Sequence, residues 1–138
     1  MPWVVDTCVI IDVLDGDPEF GSMSAALIDA RYEDGLVLCP VSFIELSPAF
    51  LGDIARQQVF LSALGILSSE DWTWGDTIAA HQAWQTYVSR RRDGVSPKRP
   101  VADIQIGAFA QRFDGLLTRN PGDFTRVFPD LHILTPGS

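Results

Sequence analysis

Four acidic residues, Asp6, Glu45, Asp103 and Asp123, stand where their side chains could act together. Asp6 closes the apolar run Trp3-Val4-Val5 and is followed by Thr7-Cys8. Glu45 ends Pro40-Val41-Ser42-Phe43-Ile44-Glu45, Asp103 follows Pro100 by three residues, and Asp123 ends Asn120-Pro121-Gly122-Asp123. Gathered at one point, these carboxylates would repel. Two unit charges about 4 Å apart cost roughly 4 kcal/mol at an effective dielectric of about 20, and crowding raises pKa values or drives the groups apart. A divalent cation between them removes the penalty. Oxygen ligands without histidine or thiolate suit Mg2+ or Mn2+, which keep several waters and take up substrate phosphate. An ion so held orients and acidifies water and neutralises charge developing on a phosphodiester.

Each acid also has a plainer structural reading. Asp6 can cap the helix that follows it. Ser42-x-x-Glu45 fits a capping box, in which the glutamate bonds back to the cap backbone. Asp103 sits in a first helical turn, where the helix dipole favours an acid. It also shares a helical face with apolar Ile106, Ala110 and Phe113, and an acid heading a buried stripe is costly unless paired. Asp123 lies among ordinary turn residues and gains meaning only from following a strand whose end lies at the same sheet edge as Asp6.

The elements that must position these residues follow from short apolar runs and helical periodicity. Strands are expected at Trp3–Val5, Leu36–Cys39, Leu116–Thr118 and His132–Leu134, with a weak one at Ile66-Leu67. Helices are expected over Cys8–Leu14, from Glu19 to Glu33 with Gly35 as the stop, and from Glu45 to about Leu51 with Ser42 as cap and a kink at Pro48. Further helices are expected from Asp53 to Leu64, from the Thr73 region to about Arg92 with a stripe of Ile78, His81, Trp84-Gln85 and Val88, and from Val101 to Phe113. Strands alternating with helices define an α/β fold with a mostly parallel sheet. Parallel sheets of this kind bind ligands outside the carboxyl ends of their strands, which places Asp6 at the mouth of the sheet.

The 138 residues are expected to form one domain, 1–138, with no linker or repeat dividing them. No apolar run is long enough for a membrane span, and the N-terminus carries no basic region of a secretory signal. Cys8 and Cys39 read as small buried thiols of a reducing, cytoplasmic setting. The net charge of −8 argues against non-specific nucleic-acid binding over the whole surface. The charge is segregated: residues 1–89 hold two basic and thirteen acidic side chains, residues 90–138 eight basic and five acidic. His81 and His132 read as structural, and Trp72, Trp74 and Trp84 as core or partner-interface aromatics. Asp12 and Asp15 read as surface acids, with Asp12 close enough in sequence to lie beside Asp6.

The segments VVDTCVIIDVL, PVSFIEL, RPVADIQIGAFAQ and GLLTRNPGDF resemble, in this order and across nearly the whole chain, the PIN-domain family, and within it VapC-type toxins of toxin–antitoxin pairs. The resemblance implies a three-layer α/β/α sandwich and a Mg2+- or Mn2+-dependent endoribonuclease. It makes Asp6, Glu45, Asp103 and Asp123 the catalytic and metal-binding acids. It also makes Thr118 of the TRN motif a residue that helps hold the acidic cluster. Some relatives carry an acid where this chain has Asn120, so Asn120 and Asp123 are alternatives for the nearer metal contact. The implied partners are an RNA substrate, a VapB-like antitoxin and a second copy of the chain. In this reading the basic stretch Arg90, Arg91, Arg92, Lys98 and Arg99, with Arg112 and Arg119, supplies phosphate contacts; Arg119 could equally pair with a site acid. Two other classes compete. A phospho-acceptor or phosphohydrolase would use Asp6 as nucleophile, but only one acid ends the first strand and the sole lysine, Lys98, is in a loop. A non-catalytic binding module on the same scaffold would work through a partner protein.

Overall fold

The strand that carries Asp6, β1 (Trp3–Val5), is the middle strand of a five-stranded sheet in the computed structural model, which describes residues 2–91 and 101–137. From one edge the order is β3 (Ile66–Leu67), β2 (Leu36–Val37), β1, β4 (Gly115–Leu117) and β5 (Ile133–Leu134), and every neighbouring pair is parallel. Trp3, Val4 and Val5 face Gly115, Leu116 and Leu117 in register. The chain moves from β1 to β2 on one side and returns to β4 on the other, so the order reverses between β1 and β4. A crevice opens at that point in doubly wound sheets.

Helices cover both faces, because β1 is apolar on both. Trp3 and Val5 pack in a core with Val9 and Ile10 of α1 (Thr7–Asp15), Ile28 of α2 (Gly21–Arg31) and Leu61 of α4 (Ile54–Ala63). Val4 faces the opposite core, with Ala83 of α5 (Trp74–Arg91), Ile104 and Phe109 of α6 (Val101–Ala110) and Phe124 of α7 (Gly122–Thr125). Side chains that alternate along a strand meet two separate helix layers. This is the three-layer α/β/α sandwich with a parallel sheet that the sequence resemblance implies. The remaining helix, α3 (Pro40–Glu45), follows β2 and packs against both α1 and α6.

Two glycines permit close approaches that position the layers. A Cβ on Gly107 of α6 would collide with the Phe128 ring, and one on Gly115 of β4 with the Trp3 ring and the His132 carbonyl. Gly16 ends α1 in the left-handed conformation at φ 59°.

Several expectations are corrected. Ser42 does not cap a helix: Pro40 takes the first helical turn, Cys39 the cap position, and Ser42 is buried inside α3. No capping box forms, and Glu45 stands at the end of α3 instead of its start. Pro48 does not kink a continuing helix. The chain closes α3 at Glu45 and forms a separate 3-10 turn over Ser47–Phe50, which accommodates the missing amide. The second helix begins at Gly21, because Asp17 Oδ1 accepts from the amides of Glu19 and Phe20 and holds those residues in a turn. Of the stripe expected on α5 only Trp84 faces the core, joined there by Ala79, Ala80 and Ala83, while Ile78, His81, Gln85 and Val88 are exposed. Small alanines allow α5 to lie close on α6, which overrides the larger apolar residues. Asn120–Asp123, expected as a turn, leads into the short helix α7. Among the described residues no helix is long and apolar enough to cross a membrane.

Candidate functional site

Asp6 is the first residue beyond β1 and Thr118 the first beyond β4, so the β1–β4 register brings them together. The Asp6 amide continues the ladder by donating to the Leu117 carbonyl at 2.9 Å. Asp6 as a residue is only 6% exposed. Its Oδ1 accepts from the Thr7 amide at 2.8 Å. Its Oδ2 accepts from the Thr118 hydroxyl at 2.7 Å and from the Cys8 thiol at 3.4 Å. The Asn120 amide donates to Thr118 Oγ1 at 3.0 Å, which turns the hydroxyl proton toward Asp6. Asp6 is therefore two things at once: the N-cap of α1 and a buried, oriented carboxylate at the carboxyl ends of β1 and β4.

Glu45 joins this group through Thr7. The Thr7 hydroxyl donates to Glu45 Oε1 at 2.8 Å while the amide of the same residue holds Asp6. Burial pushes the Asp6 carboxyl above its ordinary range, and the nearby Glu45 charge pushes the same way. Hydrogen bonds from Thr118, Cys8 and Thr7 oppose the rise without cancelling it. Burial, with Asp6 alongside, pushes the Cys8 thiol up to about 12, so it remains a protonated donor. Cys8 and Cys39 are both free.

The other two acids are placed differently. Asp103 lies in the first turn of α6, half-buried, at the head of the buried Ile106 and Ala110. Asp123 lies in the first turn of α7 and is exposed, its amide donating to the Asn120 carbonyl at 3.1 Å. Asn120 is exposed, and its contact with the site is its backbone amide on Thr118. Among the described residues no three acidic, histidine or cysteine side chains are grouped so as to hold one metal ion. The site is thus built on a carboxylate pair, Asp6 and Glu45, knitted by two threonines. Its carboxylate donors are oxygens, the hard set that Mg2+ and Mn2+ prefer, and the ionised form of Asp6, which burial disfavours, is the form a bound cation would stabilise.

The basic residues divide. Arg92, Lys98 and Arg99 lie outside the described residues, as does the side chain of Arg91. Arg90 is exposed at the end of α5 and donates to the Arg126 carbonyl. Arg112 is not a free surface cation. It grips Asp76 with Nε and a terminal nitrogen, each at 2.9 Å, reaches the Asp71 carbonyl at 2.7 Å, and lies over the rings of Phe109 and Phe113. Arg119 pairs with an acid, as one of its two readings had it, but the acid is Asp12. Asp12 is no surface residue: it is 2% exposed and accepts from Ser24 of α2 at 3.0 Å. One signal could have found it, since it follows the buried Val9 by three residues on the same helical face.

No family model and no curated protein matches the chain by sequence. The fold has relatives among solved structures. A chain of VapBC2 from Rickettsia felis, bound to a DNA fragment from their promoter, superposes with a TM-score of 0.69 at 12% identity over 99% of both chains. A chain of FitAB bound to the IR36 DNA fragment gives 0.66 at 18% identity, covering 99% of this chain and 95% of that one. A chain of FitAcB from Neisseria gonorrhoeae gives 0.63 at 20% identity, covering 97% and 96%. At these identities the likeness is one of fold: the α/β/α sandwich with a parallel sheet, along nearly the full length of the chain.

Proposed function

We propose that the chain is a Mg2+- or Mn2+-dependent endoribonuclease, the toxin component of a type II toxin–antitoxin pair that acts on RNA in the cytoplasm. The observation that carries the reading is the buried Asp6 carboxylate, oriented by Thr118 where β1 and β4 end, with Glu45 tied to it through Thr7. Asp6 and Glu45 would hold the ion. Asp103 and Asp123 are proposed as further ligands on the strength of the sequence motifs; the α6 helix of Asp103 packs against α3 and against the α7 helix of Asp123. When bound, the ion supplies an activated water and offsets phosphodiester charge. The protein's own part is positional. The Thr7 amide, Thr118 hydroxyl and Cys8 thiol fix Asp6 in one orientation, and Thr7 ties Glu45 to the same frame, so neither acid reorganises when charge changes beside it. The likeness to chains of VapBC2 and FitAB supports a small antitoxin as partner; a homodimer is proposed with it.

The test is cleavage of tRNA, rRNA and mRNA by the purified chain with Mn2+, with chelator, and with Asp6→Asn. Cleavage is expected only with metal and with Asp6 intact. A chain whose Asp6→Asn form cuts RNA at the parental rate in chelator is not this kind of enzyme. The binding-module reading is favoured by one observation, that among the described residues two carboxylates are tied together and no group of three or more is formed. It predicts no cleavage and no rise in thermal stability with Mn2+, whereas a metal enzyme is stabilised through linkage.

A further inference from the structure

We propose that Arg119 is a positioning residue, whose ion pair with the buried Asp12 fixes the end of β4 so that Thr118 meets Asp6. The inference deepens the nuclease reading of the same site and rests on it for its catalytic consequence alone. Thr118 and Arg119 are successive residues, and each holds one acid at an end of α1. Thr118 holds Asp6, the N-cap. Arg119 Nε lies 3.1 Å from Oδ2 of Asp12, near the C-terminal end of the helix. The contact is an ion pair without hydrogen-bond alignment, since Nε is buried and makes no hydrogen bond. Two further contacts set the guanidinium in place. Ser24 donates to the same Asp12 oxygen at 3.0 Å, and the Phe20 ring lies 4.6 Å beneath the guanidinium carbon. Phe20 is itself held by the Asp17 carboxylate, which accepts from its amide at 2.8 Å. The closed circuit Asp6–Thr118–Arg119–Asp12 thus spans α1 from its N-cap to its last turn. The Thr118 hydroxyl has little freedom inside it, because Asn120 donates to it from the other side of Arg119. A side chain tied down by a buried acid and a ring is poorly suited to follow a flexible RNA backbone.

Arg119→Met, Arg119→Lys and Asp12→Asn separate this role from an RNA contact and from general packing. The first readout is amide hydrogen exchange at Asn120, which needs no RNA and no activity. Protection is expected to fall by about tenfold in Arg119→Met and in Asp12→Asn, with Arg119→Lys recovering part of it. The second is kinetics: kcat falls about tenfold in Arg119→Met with KM nearly unchanged, and adding Arg119→Met to Thr118→Val costs little more than Thr118→Val alone. The third is RNA affinity against salt in the Asp6→Asn background, whose slope stays as in the parent. Unchanged Asn120 exchange in both variants overturns the proposal, as does a slope reduced by about one with raised KM, the mark of a phosphate contact. If Arg119→Met does not fold, Asp12→Asn decides the exchange result. If the parent cuts no RNA, the nuclease reading has failed while the exchange result still stands or falls by itself.

Discussion

At Asp6 the protein holds a carboxylate in surroundings that disfavour its charge. The folded state therefore binds the proton more tightly than the unfolded chain, in which the group titrates near 3.8. Stability from this residue is complete below that pH and is lost as pH rises through the elevated folded value. Two expectations follow at the scale of the side chain. In metal-free buffer Asp6→Asn melts higher than the parent near neutral pH, and the difference closes on acidification; thermal melts across pH read this directly. On the proposed metal-binding reading, excess Mn2+ reverses the order, because the parent would gain stability through binding and the variant would not. Glu45→Gln keeps an acceptor for the Thr7 hydroxyl, and the side chain is exposed, so melting without metal changes little. Mn2+ stabilisation and RNA cleavage should both fall, cleavage by about a hundredfold. Parental cleavage in Glu45→Gln would remove this residue from the ligand set.

Among the elements, α5 and α6 are fastened by a group unrelated to the crevice. Asp76 is 2% exposed and forms a reciprocal cap with Thr73, whose hydroxyl accepts from the Asp76 amide while Asp76 accepts from the Thr73 amide. Burial pushes its carboxyl upward, but the Arg112 and Thr73 hydrogen bonds more than reverse this and hold it below the usual range. Arg112→Met strands that acid and should cost about 3 kcal/mol in denaturant unfolding. RNA cleavage measured well below the transition should remain parental. The loss should shrink in acid, as Asp76 becomes protonated. Gly107→Ala drives a methyl group into Phe128 and should cost about 2 kcal/mol. The strands and most helices could be read from apolar runs and stops, because these signals are local. The errors have a common physical source. Arg112 and Asp12 look like surface charges in the sequence, and only partners far along the chain show that they are buried or engaged. Ser42-x-x-Glu45 has the letters of a capping box, yet Pro40 already occupies the first turn, so the box lost to a stronger local start.

For the molecule as a whole, the strand order does what no single element can. Asp6 could be read as a site candidate because it ends an apolar strand, whereas Thr118 came only from the resemblance of its TRN motif. That they bond is a property of the sheet, in which β4 inserts beside β1 on the side away from β2. Glu45 arrives from the third direction, on the helix after β2. The placement of Asp103 and Asp123 relative to this pair was not readable from spacing, since each rides on a helix whose tilt is set by packing of the far layer. Titration with Mn2+ followed by chemical shift changes at Asp6, Glu45, Asp103 and Asp123 should show all four responding if the nuclease reading is right. A response confined to Asp6 and Glu45 would reduce the ligand set to the pair.

The bond between Thr118 and Asp6 joins residues 112 positions apart. During synthesis the amino-terminal acid leaves the ribosome long before the threonine that orients it is translated. Pairing of such distant segments comes late in folding. On the proposed nuclease reading, a nascent chain of this design would spare the messenger and ribosome that produce it until β4 and β5 have emerged. Chains stalled before Gly115 should therefore leave RNA intact, whereas chains released after Leu134 should cut it.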